Sequence, residues 1–166
     1  MKSQGSLRRA LPWFALAIAI VAIDQATKLM ILSRFSLGES MGVLPFFDLV
    51  LVYNKGAAFS FLASADGWQT PLLVTISLAA TAIVGWMLWR NPGRLVLDIG
   101  LAFIMGGAVG NLIDRIAYGK VVDFLLFHAY GWSYPAFNVA DSAITVGAAL
   151  LIIESFMART PAKGGA

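Results

Sequence analysis

The chain reads as four long apolar runs, residues 11–32, 71–89, 95–113 and 139–157, separated by two long mixed segments and one short polar turn. A helix needs about 20 apolar residues, each rising about 1.5 Å, to cross roughly 30 Å of hydrocarbon. Each run is about that long. The second carries no charge, the third has one acid near its start, Asp98, and the fourth has Asp141 near one end and Glu154 near the other. The first run follows Lys2, Arg8 and Arg9 and by itself has the form of a cleavable signal peptide. Three further runs behind it make it the first of four crossings. The expected fold class is an all-α polytopic membrane protein, a single membrane domain over residues 1–166.

The long segments, residues 33–70 and 114–138, are expected to be loops on one side of the membrane. In the first, residues 46–53 are aromatic, β-branched or apolar apart from Asp48, and they lead into Asn54-Lys55-Gly56 and then residues 57–62, apolar apart from Ser60. Strand-forming residues around an Asn/Gly turn predict a small extramembrane β-hairpin or cradle, apolar enough to lie on the membrane surface or over the helix ends. The tail, residues 160–166, is expected to fray.

Composition agrees with the bilayer as solvent. The chain is 59% hydrophobic and 13% charged, with a mean hydropathy of +0.79, too apolar to cover itself with polar surface. Cysteine is absent and His128 is the only histidine, which excludes thiolate catalysis, disulfides and a zinc site of the usual kind. No metal or other cofactor is expected. The net charge of +3 is read as membrane orientation rather than nucleic-acid binding. Of the 12 cations, Lys2, Arg8, Arg9, Arg90, Arg94, Arg159 and Lys163 lie in the two termini and the short turn. The positive-inside rule puts those segments in the cytoplasm and the long loops outside.

Polar groups inside spanning helices are costly, so each one suggests a function. They gather at one depth. Asp24 and Lys28 are four apart on the outer half of the first helix, Asn111, Asp114 and Arg115 share a face at the outer end of the third, and Asn138, Asp141 and Thr145 share one at the outer start of the fourth. Asp123, in the second outer loop, can fold back towards them. Two carboxylates held within a few ångströms cannot both ionise cheaply, so one keeps a proton and the pair supplies an acid and a base.

Simpler readings compete at several positions. Asp98 suits the dipole of its helix, and Asp48, Asp66 and His128 read as surface loop residues. Asp24 with Lys28, and Asp114 with Arg115, read as structural ion pairs, and the glycines between 106 and 110 as helix packing. Ser60 with Lys55 would be needed for a Ser/Lys hydrolase, with nothing to bring them together. As whole-protein alternatives, Asp24, Asp114 and Asp141 could line the path of a small ion or solute transporter, or the chain could be a scaffold. A conduction path needs polar residues through its full depth, whereas these lie at one end.

Five motifs in order resemble the lipoprotein signal peptidases, or signal peptidase II. They are Asp24-Gln25-Ala26-Thr27-Lys28, Asn54-Lys55-Gly56-Ala57-Ala58-Phe59-Ser60, the stretch from Gly106 to Arg115 ending Asn111-Leu112-Ile113-Asp114-Arg115, Val121-Val122-Asp123-Phe124, and Phe137-Asn138-Val139-Ala140-Asp141. Tyr134 before Pro135 departs from the Trp that many members carry. The resemblance implies an aspartyl endopeptidase with Asp123 and Asp141 as catalytic dyad. It implies that Asp24, Lys28, Asn54, Gly56, Asn111, Arg115 and Asn138 support the dyad or position substrate. The implied substrate is a prolipoprotein whose Cys carries a diacylglyceryl group, cut just before that Cys. The implied setting is a bacterial inner membrane with the site towards the periplasmic face, with membrane lipids around it and no obligate protein partner.

Overall fold

A computed structural model describes residues 2–56, 67–90 and 92–157. Its elements follow the order α1 (Lys2–Arg34), β1 (Ser40–Leu44), β2 (Phe47–Asn54), α2 (Gln69–Arg90), α3 (Leu95–Tyr118), β3 (Val121–Ala129), β4 (Trp132–Ser133) and α4 (Val139–Met157). The four helices are each long and apolar enough to cross a membrane. The chain is mostly helical, with a small antiparallel sheet beside one end of the bundle.

α3 is the central helix, and most of its span is buried against the other three. Close approach is set by glycine. A Cβ at Gly107 would run into the Ala140 carbonyl oxygen of α4, and one at Gly110 would stand 2.6 Å from a carboxylate oxygen of Asp24 on α1. Small residues matter because apolar surface gains nothing from leaving lipid for protein, so dispersion and hydrogen bonds must hold the bundle. At the end away from the sheet, Ala17, Val84, Leu88, Leu101 and Met105 form an apolar cluster. There the Gly93 N–H donates to Asp98 Oδ2 at 2.7 Å, so Asp98 ties the α2–α3 turn to the first turn of its helix.

Several helix boundaries differ from the sequence expectation, the first helix running Lys2–Arg34 rather than over residues 11–32. The third helix continues through Asp114 and Arg115 to Tyr118, where Gly119 in the left-handed conformation returns its N–H to the Arg115 carbonyl at 3.0 Å. Residues 114–118 are therefore helix, not loop. The second helix starts at Gln69, inside the segment expected as loop.

The sheet is also larger than the expected hairpin. Its order is β1-β2-β3-β4, all antiparallel, so both long loops contribute to it. β2 pairs with β1 through a turn at Pro45-Phe46. The arm expected at residues 57–62 lies outside the described residues, as do Ser60, Asp66, Arg159, Lys163 and the tail, residues 160–166. Asp48 and His128 are strand residues facing each other at 3.1 Å, with Ser40 donating to the same carboxylate at 3.1 Å. The hydrogen bond from His128 holds the Asp48 carboxyl below its ordinary pKa. Beneath the sheet, Ile31, Leu51, Val122 and Phe124 form a second apolar cluster that seats it on the end of α1.

Gly107→Leu should drive α3 and α4 apart. Overpacking of this kind costs about 1–3 kcal/mol, so thermal unfolding in detergent should start at lower temperature than in wild type.

Candidate active site

The segment between the sheet and α4 decides where the carboxylates meet. The Phe124 and Leu125 N–H groups both donate to the Phe137 carbonyl, and the Phe137 N–H donates back to Leu125. This stitches the residue before Asn138 to β3, immediately beyond Asp123. Val122 and Phe124 point into the cluster on α1, and the two-residue period of the strand turns Asp123 the other way, towards Asn138.

Asn138 then caps α4. Its Oδ1 accepts the Asp141 N–H at 2.9 Å, while Asp141 Oδ2 accepts the Asn138 N–H at 3.2 Å. This is a reciprocal capping box with Asp141 at its third helical position. The Asn138 amide, fully buried, donates to Asp123 Oδ1 at 2.7 Å, to Asn111 Oδ1 at 3.1 Å and to the Val122 carbonyl at 3.2 Å. Asn111 in turn donates to Asp141 Oδ1 at 2.7 Å. Asp123 and Asp141 are thus bridged by two asparagine side chains, one from α3 and one from the start of α4.

The other expected site residues close around this pair. Asn54 hydrogen-bonds Asp123 and accepts the Gly56 N–H at 2.8 Å in a tight Asx turn. Arg115 donates to the Gly56 carbonyl at 3.0 Å, which pins that turn to α3. Arg115 is not the partner of Asp114, contrary to the ion pair read from their adjacency: Asp114 is bound by Lys28 at 2.9 Å. Lys28 also binds Asp24 at 2.9 Å, the pair expected from their four-residue spacing. Side chains three or four apart share a helix face, whereas adjacent ones diverge by about 100°, which separates Asp114 from Arg115.

One participant carried no assignment from sequence. Gln25 donates to Asp114 Oδ1 at 2.9 Å, to the Gly110 carbonyl at 3.1 Å and to Asp24 Oδ2 at 3.2 Å. An amide inside a spanning helix was the available signal.

Access to a cavity separates the four carboxylates. Asp24 and Asp114 are sealed in and saturated by donors. Asp141 instead lines a cavity of about 840 Å³ whose walls include Ile76, Ala80, Ile104, Ile144 and Val146 from α2, α3 and α4. Asp123 lines a second of about 540 Å³ on the sheet face turned away from α1, with Val50, Val52 and Leu126. Asn54, Tyr134, Pro135 and Ala136 border both cavities, so the pair stands where an apolar groove among the helices meets a smaller space on that face of the sheet. Burial first and the neighbouring Asp141 charge second push the Asp123 carboxyl up to about 7, against the lowering effect of Asn54 and Asn138. A carboxyl that holds its proton near neutrality beside a second carboxylate is equipped for acid–base chemistry.

A model of the family described as signal peptidase (SPase) II matches residues 16–157. The chain belongs to the signal peptidase II family. The lipoprotein signal peptidase of Paraburkholderia phymatum is 50% identical over 143 residues, covering 86% of both chains. That of Ralstonia nicotianae is 51% identical over 143 residues, 86% of this chain and 83% of the relative. The fold matches two solved bacterial membrane enzymes, one with a TM-score of 0.83 at 27% identity over 93% of this chain and 94% of the other. The second has a TM-score of 0.77 at 29% identity over 90% and 94%. As a signal peptidase II the protein is a multi-pass membrane peptidase. That family membership, together with the confinement of the buried acid cluster to one end of the bundle, removes the basis for the ion-path and scaffold readings.

Because Asp123 binds its proton more tightly in the folded state than in the unfolded chain, it favours folding at low pH. That contribution fades as pH rises through about 7. Infrared difference spectra of this signal peptidase II should therefore contain a protonated-carboxyl band at pH 6 that disappears above pH 8 and is missing in Asp123→Asn, on the order of one unit either side of the midpoint.

Proposed function

We propose that the protein is an aspartyl endopeptidase that removes the signal peptide from diacylglyceryl-modified prolipoproteins by cutting before the lipidated Cys. The observation that carries this reading is the pairing of Asp123 and Asp141 through Asn138 and Asn111 at the junction of two cavities.

Asp141 accepts N–H donors from Asn111 and the Asn138 backbone, which suits the charged partner. Asp123, pushed up to about 7, suits the protonated one. In the proposed cycle a water lies between them. Asp141 takes one of its protons as its oxygen attacks the scissile carbonyl carbon, and Asp123 gives its proton to the carbonyl oxygen, leaving a neutral tetrahedral diol. Asp141 then passes its proton to the amide nitrogen while Asp123 recovers one from a diol hydroxyl. The C–N bond breaks to an amine and a carboxylic acid, and the dyad is back in its starting state. No covalent intermediate forms.

The cavity dimensions support a lipidated substrate. Acyl chains lose nothing on passing from bilayer to the apolar groove along α2, α3 and α4, while the peptide side of the scissile bond can enter the space on the sheet face beside Asp123. A lipid-anchored Cys keeps its peptide bond near headgroup depth, where α4 begins with Asp141 in its first turn and β3 brings in Asp123, so depth itself selects the substrate. The excess of cations at the termini and the α2–α3 turn supports an outward-facing site on a bacterial inner membrane.

Asp123→Asn and Asp141→Asn keep the side-chain shape and remove the proton chemistry. Each should bind a diacylglyceryl prolipoprotein yet lose cleavage by roughly 10²–10⁴-fold in a gel-shift assay. Near-normal cleavage by either variant would move the chemistry to other residues. Wild type should cut the same precursor without its lipid poorly, and equal rates on both forms would remove the lipid from the recognition argument.

A further inference from the structure

We infer that Lys28 is the positioning residue of the dyad: one buried ammonium holds, through two carboxylates, the backbone immediately before both Asp123 and Asp141 and, through a third acceptor, the Asn111 side chain that binds Asp141. The inference rests on the aspartyl reading above. Lys28 is 1% exposed, between Asp24 at 0% and Asp114 at 1%. An ammonium has three N–H donors and no acceptor, and all three are used, on Asp24 Oδ2 at 2.9 Å, Asp114 Oδ2 at 2.9 Å and Asn111 Oδ1 at 3.0 Å.

Each acceptor leads to the dyad by a separate route. Asp24 Oδ1 accepts the N–H of Ala140 at 2.9 Å, the residue before Asp141. Asp114 Oδ2 accepts the N–H of Val122 at 3.0 Å, the residue before Asp123. The third route fixes a side chain. Because Lys28 can only donate, it obliges the Asn111 oxygen to face it, which leaves the Asn111 amide hydrogens for Asp141 Oδ1. Reversal of that amide would turn an oxygen towards the Asp141 carboxylate. α1, α3, α4 and β3 are thereby locked in one relative position, and the spacing of the two carboxylates follows from it.

A buried ion cluster is a poor way to gain stability, since desolvation offsets most of the attraction. A role limited to packing would therefore leave the arrangement without benefit. Positioning makes a different forecast, because misplacing reacting groups by about 1 Å costs on the order of 100-fold in rate without weakening substrate binding.

The test compares wild type, Asp123→Asn, Lys28→Met and the double variant Lys28→Met/Asp114→Asn in detergent, with thermal unfolding, kcat and KM on a diacylglyceryl prolipoprotein, and the pH–rate profile. Lys28→Met removes the clamp and also leaves an extra uncompensated charge; the double variant removes the clamp and restores the net charge, so it stays folded if the single one does not. Both should lose about 100-fold in kcat with KM unchanged. Loss of the Lys28 charge should move the alkaline limb upwards in the single variant, since that charge lowers the Asp123 pKa, and the double variant should return it towards wild type without recovering kcat. A double variant with wild-type kcat would overturn the inference, reducing Lys28 to a charge balance, as would a loss in either variant confined to KM. Activity retained by Asp123→Asn would instead overturn the dyad itself.

Discussion

A carboxylate at the edge of a hydrocarbon layer must find N–H donors or give up its charge, and four of them meet here. Asp24, Asp114, Asp123 and Asp141 come from α1, α3, β3 and α4, and among the described residues Lys28 is the one sealed-in cation between them. The available compensation is divided unequally. Asp24 and Asp114 take the ammonium, the Gln25 amide and two backbone N–H groups. Asp123 and Asp141 are left with neutral amides as their hydrogen-bond donors, and burial together with the nearby Asp141 charge lets Asp123 retain a proton near neutrality. The same demand for donors shapes the fold, because the donors recruited are the start of α4 and the start of β3.

Helix packing serves this polar layer. Gly110 lets the Asp24 carboxylate come against the α3 backbone, and Gly107 lets α4 approach until the Ala140 peptide reaches Asp24. A methyl group at either point would lengthen hydrogen bonds in the cluster before it disturbed the apolar half of the bundle. Below Gly106 the contacts become aliphatic and aromatic, and charged groups reappear only at the far end, in Asp98 and in the Arg94–Glu154 pair.

The helices were legible because bilayer thickness imposes a length that composition alone can meet, and the depth of the polar cluster was legible because polar residues in such runs are conspicuous. The sheet was not. β1 is exposed along its whole length and contains Gly42, so it has no alternation to read, and its turn uses Pro45-Phe46 rather than the Asn-Gly signal nine residues later. The pairing of Asp48 with His128 depends on strands 80 residues apart, which no local pattern encodes. Adjacency misled at Asp114 and Arg115, since neighbouring residues on a helix point in different directions. Choosing among the acids was equally closed to spacing: Asp114 and Asp123 both lie within reach of Asp141 along the chain, and only the resemblance to signal peptidase II selected between them.

The structure supplies a physical criterion where spacing had none. A group that must exchange protons with water and a peptide bond needs an unfilled side, and a group that must hold others in place needs none. Asp24 and Asp114 are saturated by donors and line neither of the two cavities, whereas Asp123 and Asp141 each border one of them. On the proposed reading a working pair and a holding pair therefore lie in one cluster, distinguished by their access to a cavity. The separation has a further use. The dyad must change its protonation in every cycle, and the charges that fix its geometry should not change with it. Lys28 and its two carboxylates line neither cavity, so the frame stands apart from the water and the peptide that the pair it holds must meet.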